Sequence, residues 1–260
     1  MSGLKLERAR VVLQEELYAD TYLMWLSCPD VARGAGPGRF LMVHCTDALD
    51  PLLPRPMSFH RFRDAGGERQ FAILYDVRGR GTTWLSERKA GDRLSIFGPL
   101  GRGFDVDSGS ENILLVAGGL GIAAVISLAD EAVAAGRSVT LLQGARTASK
   151  LCPPEHLPPE VESVSATEDG SEGHAGRVTE LLAAHLPWAD QVFACGPNPM
   201  FEAMAAVVRE MRTRKSVQVL LEERMGCGTG VCYGCAVFTR KGVRLVCRDG
   251  PRMELREAFG

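Results

Sequence analysis

Short hydrophobic runs fill the first 100 positions of the chain, and turn residues separate them. Each run has the length and composition of a β-strand. The predicted strands are residues 9–14, 22–26, 40–44, 71–76 and 93–97. Many short strands with regular turns are typical of a small barrel or sandwich. We therefore predict an N-terminal antiparallel β-barrel.

The pattern changes at the glycine-rich stretch of residues 98–104, after which apolar strands alternate with amphipathic helices. Strands are predicted at residues 112–117, 138–142, 191–195 and 216–221, and helices at 122–135, 178–185 and 199–211. This alternation predicts a parallel sheet that helices cover on both faces. We divide the chain into a β-barrel domain (1–104), a parallel α/β domain (105–215) and a small C-terminal subdomain (216–260).

Composition and charge narrow the function classes. The 260 residues carry a net charge of −2, with 45% hydrophobic and 24% charged residues, as is ordinary for a globular protein. No basic patch indicates nucleic-acid binding, and no apolar stretch has the length of a membrane span. Residues 1–10 are charged and lack the apolar core of a signal peptide. We expect a cytoplasmic protein that binds neither nucleic acid nor a membrane.

Half of the eight cysteines lie near the C-terminus, at the spacing C-x4-C-x2-C followed by a distant fourth. They are Cys227, Cys232, Cys235 and Cys247. This is the plant-type pattern that holds a 2Fe-2S cluster on four thiolates. Interleaved glycines let the backbone approach the sulfur atoms with its N–H groups pointing inward. The sequence therefore predicts an iron–sulfur cluster, which transfers electrons one at a time.

Zinc and disulfides are the other uses of clustered cysteines. Structural zinc sites usually have two short-spaced cysteine pairs, whereas this chain crowds three cysteines into one loop. Disulfides suit an exported protein, which the N-terminal sequence does not indicate. Both alternatives stay open on the sequence alone, with the cluster favoured.

The run Arg55-Pro56-Met57-Ser58 combines an arginine, a rigid turn and a serine. The guanidinium can bind a phosphate through two hydrogen bonds, and the hydroxyl can bind a ring nitrogen. A surface arginine beside a proline turn is the alternative interpretation. The motif gains weight from a second one further along the chain.

The second motif is the predicted strand end Leu74-Tyr75-Asp76, followed by a glycine turn with Gly81 and Thr82. Free N–H groups and a hydroxyl at the start of a helix would suit a pyrophosphate. Thr82 would equally serve as a helix cap. Tyr75 would stack on a flavin or adenine ring, or else fill the barrel core.

Two further turns lie at the carboxyl ends of predicted parallel strands, where such sheets bind ligands. They contain Gly118, Gly119 and Gly121, and Cys195, Gly196 and Pro197. A nicotinamide dinucleotide would fit between them, although close strand–helix packing also explains the glycines. Cys195 would then lie near the nicotinamide, or would simply be a small residue in a tight turn.

Together these motifs resemble those of the ferredoxin–NADP reductase superfamily. The cysteine loop, with Glu222-Glu223-Arg224-Met225 before it and Val246-Cys247-Arg248-Asp249-Gly250-Pro251 at its end, is similar to the PyrK family of dihydroorotate dehydrogenase B electron-transfer subunits. The resemblance extends over residues 9–251. The chain differs from the family pattern at Asp76, Ala117 and Ala124, so NAD versus NADP stays open.

The resemblance implies the cofactors and their residues. FAD would be bound by Arg55, Pro56, Met57, Ser58, Leu74, Tyr75, Asp76, Gly81 and Thr82. NAD would face Gly118, Gly119, Gly121, Cys195, Gly196 and Pro197. The 2Fe-2S cluster would be held by Cys227, Cys232, Cys235 and Cys247.

The resemblance also implies a function that needs a partner. The chain would take electrons from the FMN of a dihydroorotate dehydrogenase catalytic subunit, in a heterotetramer with two copies of each chain, and pass them through the cluster and FAD to NAD+ for pyrimidine (UMP) synthesis. One alternative is a NAD(P)H-linked reductase subunit of a hydrogenase or bifurcating transhydrogenase. The bifurcating relatives tend to have Asp as the first ligand, where this chain has Cys227. Another alternative is a zinc-stabilised interaction module without turnover.

Overall fold

The computed structural model describes residues 6–18, 20–46 and 48–260. Within these ranges the first part of the chain forms β1 (Leu6–Tyr18), β2 (Thr21–Ser27), α1 (Pro29–Ala32), β3 (Phe40–Val43), β4 (Arg55–Ser58), β5 (Arg61–Ala65), β6 (Glu68–Asp76), α2 (Arg80–Ser86) and β7 (Arg93–Leu100). The strands form one antiparallel sheet in the order β4-β3-β7-β1-β2-β6-β5.

This first sheet curls around its own core. Met57 of β4 shares a buried cluster with Phe71 and Ile73 of β6, although β4 and β6 lie near opposite ends of the strand order. An apolar face that alternates with polar residues drives this closure, because curling removes the buried face from water. The predicted antiparallel β-barrel fold is confirmed.

The second part of the chain forms β8 (Asn112–Gly118), α3 (Ile122–Ala134), β9 (Ser138–Ala145), β10 (Glu162–Thr167), β11 (His174–Ala175), α4 (Leu182–His185), β12 (Gln191–Cys195), α5 (Asn198–Glu210) and β13 (Val217–Leu220). The C-terminal part adds β14 (Ala236–Thr239), β15 (Gly242–Leu245), α6 (Val246–Asp249), β16 (Arg252–Glu254) and α7 (Leu255–Phe259). Strands β14 and β15 form a separate antiparallel hairpin.

The second sheet has the strand order β11-β10-β9-β8-β12-β13-β16. Its strands are parallel except β16, which pairs antiparallel with β13. The parallel α/β fold is thus confirmed, with one antiparallel edge strand in addition. Both β13 and β16 lie in the predicted C-terminal subdomain, so this part of the chain contributes to the second sheet.

Some predicted elements differ from the structure. The helix predicted at residues 178–185 is divided into a 3-10 turn (Val178–Glu180) and α4. Val178 packs against Gly144 of β9, where an added Cβ would lie 2.6 Å from Val178 Cβ, so the 3-10 turn lies tightly on the second sheet. Strands β5 and β10 escaped prediction because their half-exposed sequences contain no apolar run.

The two sheets meet along α3. Trp25 of β2 and Leu74 of β6 share a buried cluster with Ile126 of α3 and Leu115 of β8. The helix is therefore buried on both sides, by its own sheet and by the outside of the first sheet. None of the helices within the described ranges has the length and apolar character needed to cross a lipid bilayer.

Candidate functional site

A cavity of about 940 Å³ lies between the two sheets. One wall comes from the first sheet and contains Arg55, Pro56, Met57, Ser58, Leu74 and Tyr75. The other comes from the carboxyl edge of the second sheet and contains Leu120, Ala123, Ala124, Cys195, Leu220 and Glu222. We call these the cavity walls. Their mostly apolar lining with a few polar groups is typical of a cofactor or ligand site.

Sequence reasoning thus named residues from both walls, but others it named lie outside this lining. Those outside are Asp76, Gly81, Thr82, Gly118, Gly119, Gly121, Gly196 and Pro197. Several of them pack directly behind lining residues. Ala123, Ala124, Asn198 and Glu222 line the cavity and were missed as site residues, whereas Leu120 lies inside the predicted turn 118–121.

Arg55 is positioned by its neighbours on the first wall. Its Nη1 donates to Leu53 O at 2.6 Å. A Cβ added at Gly81 would lie 3.1 Å from Arg55 Nε and 3.2 Å from Cys45 Cβ, so a glycine leaves room for the guanidinium. The charged group therefore lies at the edge of the cavity, where it can bind an anionic part of a ligand.

Tyr75 has the contacts of a core aromatic residue. It is 2% exposed, its ring stacks on Tyr22 with 6.0 Å between centroids, and its hydroxyl donates to Gln14 Oε1 at 2.8 Å. Burial raises the pKa of the Tyr75 hydroxyl above its usual range, so the group remains a neutral donor. Gln14 Nε2 in turn donates to Leu85 O at 3.1 Å, which ties β1 to the end of α2.

Thr82 lies inside the first turn of α2 and is not its N-cap. The helix begins at Arg80 with Gly79 as the N-cap. Thr82 Oγ1 accepts the N–H groups of Arg78 at 2.8 Å and Gly79 at 3.2 Å. The hydroxyl thus stabilises the turn itself. Asp76 is similarly engaged, because it accepts from Thr21 Oγ1 at 2.8 Å.

The glycine turns after β8 and β12 lie side by side, as predicted for adjacent parallel strands. A Cβ added at Gly118 would lie 2.7 Å from Met200 Sδ, and one at Gly121 would overlap Cys195 O. A Cβ at Gly196 would lie 2.6 Å from Met200 Cε. These glycines are therefore required by close packing of the two turns, which builds the second wall.

Cys195 and Glu222 form a polar pair on this second wall. The Cys195 thiol is 1% exposed and donates to Glu222 Oε1 at 3.5 Å. Burial and the adjacent Glu222 carboxylate raise the pKa of the thiol well above its ordinary value. Desolvation by the surrounding protein also raises the pKa of Glu222, although this residue is exposed where the cavity opens. The thiol therefore keeps its proton at Sγ in the neutral range.

Residues 226–235, together with Cys247, form what we call the cluster loop. Three backbone N–H groups, those of Thr229, Val231 and Cys232, point at Cys227 Sγ from 3.3–3.4 Å. The N–H of Gly234 points at Cys232 Sγ, also from 3.4 Å. Such N–H donors stabilise the thiolates and the sulfur atoms of an iron–sulfur cluster.

Cys235 and Cys247 form a second pair of thiols, which also has a backbone N–H group pointing at a sulfur atom. The four thiols differ in exposure. The N–H of Cys247 points at Cys235 Sγ from 3.4 Å. Cys235 and Cys247 are buried, Cys227 is half-buried and Cys232 is exposed. Burial opposes ionisation of Cys227, but the N–H groups of Cys232 and Thr229 outweigh it and lower its pKa to about 6. Burial and the adjacent Cys235 raise the pKa of Cys247 to about 12.

The loop backbone is shaped for these contacts. Gly228 and Gly230 have φ of 68° and 85°, and Tyr233 has φ of 59°. A Cβ added at Gly228 would lie 2.7 Å from Met42 Cγ of β3, so the loop lies tightly on the first sheet. Within the described ranges, no group of three or more His, Cys, Asp or Glu side chains is placed to hold a metal ion. Thiols arranged as two pairs suit the two irons of a 2Fe-2S cluster.

Comparisons with known proteins identify the family. Residues 222–258 match the model of the iron–sulfur cluster binding domain of dihydroorotate dehydrogenase B. The dihydroorotate dehydrogenase B (NAD(+)) electron transfer subunit of Desulforamulus reducens is 40% identical over 88% of this chain and 87% of its own. That of Geobacillus thermodenitrificans is 36% identical over 94% of this chain and 95% of its own. The chain belongs to this family of electron-transfer subunits.

Solved structures agree with the fold. A chain from a study of flavin-based electron bifurcation by the NADH-dependent reduced ferredoxin–NADP oxidoreductase superposes with a TM-score of 0.83 and 28% identity, covering 99% of this chain and 91% of its own. The ferredoxin reductase of carbazole 1,9a-dioxygenase superposes with a TM-score of 0.65 and 25% identity, covering 80% and 65%. The dihydroorotate dehydrogenase B family thus shares its architecture with reductases of the ferredoxin–NADP type.

Proposed function

We propose that this chain is the electron-transfer subunit of a NAD-dependent dihydroorotate dehydrogenase. It would take electrons from the FMN of a catalytic partner subunit and deliver them to NAD+, in the synthesis of pyrimidines (UMP). One observation carries the proposal: the segment 220–227 lines the cavity with Leu220 and Glu222, and then supplies the first cluster cysteine. The cavity and the cluster loop are therefore joined by one short stretch of chain.

The residues present fit the implied groups. In this proposal FAD is held by Arg55, Pro56, Met57, Ser58, Leu74 and Tyr75, with Asp76, Gly81 and Thr82 behind them, in residues 1–104. NAD faces Gly118, Gly119, Gly121, Cys195, Gly196 and Pro197, in residues 105–215. The cluster is held by Cys227, Cys232, Cys235 and Cys247, in residues 216–260. Bound FAD would accept electrons one at a time and release them in pairs as a hydride. The bound 2Fe-2S cluster would carry the electrons singly.

The chain itself supplies position and electrostatics. Arg55 neutralises anionic charge at the cavity edge, and the apolar lining excludes water from the reacting groups. Cys195 retains its proton at Sγ and donates it in a hydrogen bond to Glu222. The thiol therefore adds a polar group, but no charge, to the second wall. The N–H groups around Cys227 favour its thiolate form, as an iron ligand requires.

The partner would approach the cluster loop. Cys232 is exposed, and the adjacent Val231 and Tyr233 expose 77% and 63% of their surface. An electron donor has to come close to the cluster, so this face suits the FMN-containing subunit, in a heterotetramer of two copies of each chain. We further propose a cytoplasmic location, because none of the eight cysteines, all of which lie within the described residues, forms a disulfide.

A second candidate is a subunit of a bifurcating oxidoreductase, which the solved structure with a TM-score of 0.83 favours. The curated relatives at up to 40% identity and the Cys227 ligand favour the first candidate. Purification with the partner distinguishes the two. The first requires dihydroorotate:NAD+ activity, whereas the second requires reduction of NADP+ by reduced ferredoxin together with NADH, and no reaction with dihydroorotate.

The decisive test is reconstitution with the FMN-containing subunit. The chain should carry FAD, iron and sulfide, and the complex should reduce NAD+ with dihydroorotate. Cys232→Ala should abolish electron flow to NAD+ while FAD stays bound, and the matched control Cys28→Ala, a buried thiol of the first sheet, should keep the activity. A colourless, zinc-loaded chain, or a Cys232→Ala complex with full activity, would refute the proposal.

A further inference from the structure

Buried hydrogen bonds join the turn between β4 and β5 to α3. Ser127 Oγ donates to Phe59 O at 3.1 Å, and His60 Nδ1 lies 3.1 Å from Ala123 O. Phe59, His60 and Ser127 are at most 2% exposed. Because a carbonyl oxygen only accepts, His60 donates through Nδ1. Burial lowers the pKa of this ring to about 3, so the ring is neutral in the physiological range.

The first residue of β5, which follows this turn, adds a bidentate ion pair to the same helix. Arg61 Nε lies 2.9 Å from Asp130 Oδ2, and Arg61 Nη2 lies 2.9 Å from Asp130 Oδ1. Both side chains are partly buried, at 25% and 34% exposed. The helix residues 123, 127 and 130 are spaced by four and three, which places them on one face. Three consecutive residues therefore bind one stripe of α3.

This connection is continuous with both cavity walls. Met57 and Ser58, which line the first wall, immediately precede Phe59. Ala123 and Ala124, at the start of α3, line the second wall. Ala123 thus lines the cavity while its carbonyl accepts the His60 hydrogen bond.

We propose that Phe59, His60 and Arg61 form a clamp that sets the distance between the first cavity wall, where FAD would bind, and the second wall, where NAD would bind. Arg61 and Asp130 are then positioning residues for hydride transfer, although neither lines the cavity. This inference rests on the proposed function. Hydride transfer requires reacting atoms about 3–3.5 Å apart, and a displacement of about 1 Å can slow such a step about 100-fold.

The clamp makes a specific kinetic prediction. Arg61→Leu in the chain loaded with FAD and the cluster should slow reduction of the FAD by NADH about tenfold. The NADH concentration that gives half of the limiting rate should change less than about twofold, because the clamp touches no nicotinamide. Asp130→Leu should have the same effect, and the double variant should be no slower than either single one, because both remove one interaction.

Two readouts other than activity accompany the rates. Binding of a nicotinamide against a flavin gives long-wavelength charge-transfer absorbance, which should weaken in Arg61→Leu if the two rings no longer stack. Hydrogen exchange should show faster exchange in α3 and unchanged exchange in α5. Asp130→Asn, which preserves the side-chain volume, keeps the test valid if Arg61→Leu does not fold.

Arg63→Leu is the matched control. Arg63 lies two residues further along β5, but its Nε bonds Gln70 Oε1 at 2.9 Å and its guanidinium lies 4.0 Å from the Trp25 ring, both within the first sheet. It should leave the rate and the absorbance unchanged. Equal rates in Arg61→Leu and wild type, with wild type active, would overturn the clamp alone. A wild-type chain whose FAD does not react with NADH would overturn the proposed function and the clamp together.

Discussion

The cavity walls and the cluster loop are built on different principles. The walls are held by contacts between protein groups, such as the Arg61–Asp130 ion pair and the packing of Gly121 against Cys195 O. In the cluster loop, backbone N–H groups point at sulfur atoms, and Val231 and Tyr233 are exposed. A cysteine sulfur is a weak hydrogen-bond acceptor. The walls therefore hold their geometry by themselves, whereas the loop depends on what its sulfur atoms bind.

The largest effect is expected where the walls are most tightly packed. Gly121→Ala should lower the free energy of unfolding by about 3 kcal/mol, because the added Cβ overlaps Cys195 O and the backbone has to move. Urea denaturation monitored by circular dichroism measures the change. Gly109→Ala, where an added Cβ meets nothing within 4 Å, is the control and should be nearly neutral. A Gly121→Ala chain as stable as wild type would show that the turns are loosely packed.

Removal of iron should loosen the cluster loop selectively. A chelator should accelerate hydrogen exchange of the amides of Thr229, Val231 and Cys232 on the order of 100-fold, because their sulfur acceptor loses its fixed position. The amides of α3 should exchange at their original rates. Equal acceleration in both regions would contradict the difference drawn between loop and walls.

Acidification should destabilise the walls through His60. Its pKa is lowered to about 3 by burial, and an unfolded histidine has a pKa near 6.5, so the unfolded chain binds the additional proton between these values. Stability is therefore lost as the pH falls below about 6.5, by about 2 kcal/mol from pH 7 to pH 5. Unfolding midpoints over this range measure the loss. His60→Asn should remove this dependence, and the exposed control His174→Asn should not.

The smallest effect concerns the interior hydroxyl of the first wall. Tyr75→Phe removes the hydrogen bond to Gln14 Oε1 and should cost about 1 kcal/mol of unfolding free energy. Tyr22→Phe removes a 3.3 Å bond to Glu16 at the exposed surface, and should cost much less. Thermal unfolding of the two variants compares the stability that a buried hydrogen bond and an exposed one each contribute. A larger loss in Tyr75→Phe would show that buried polar contacts stabilise the walls. Equal costs would argue against this.

The parts of the site that could be predicted are local in the sequence. The ligand spacing of Cys227, Cys232 and Cys235 is contained in one loop, and Arg55 and Ser58 lie in one four-residue strand. Strand and helix types followed from apolar periodicity, which reports burial of one or both faces. Family resemblance then supplied the roles of these residues.

The parts that could not be predicted depend on register and on contacts distant in sequence. Glu222 meets Cys195 because β13 pairs with β12 in the register that places Leu220 opposite Cys195. Arg61 meets Asp130 across 69 positions, and either residue alone resembles an ordinary surface charge. No single-sequence pattern fixes such pairings, since they depend on how two sheets pack.

Strand β16 has a consequence for how the chain is assembled. Leu220 pairs with Arg252, and the N–H of Leu221 donates to Pro251 O at 3.0 Å, so the segment between them leaves and re-enters the sheet at neighbouring points. Topologically it is an insertion between two adjacent strands, closed at its neck. An insertion whose two ends lie close together leaves the strand order of the surrounding sheet unchanged. The four cluster cysteines thus belong to one continuous insertion, whose two ends are held together by the second sheet.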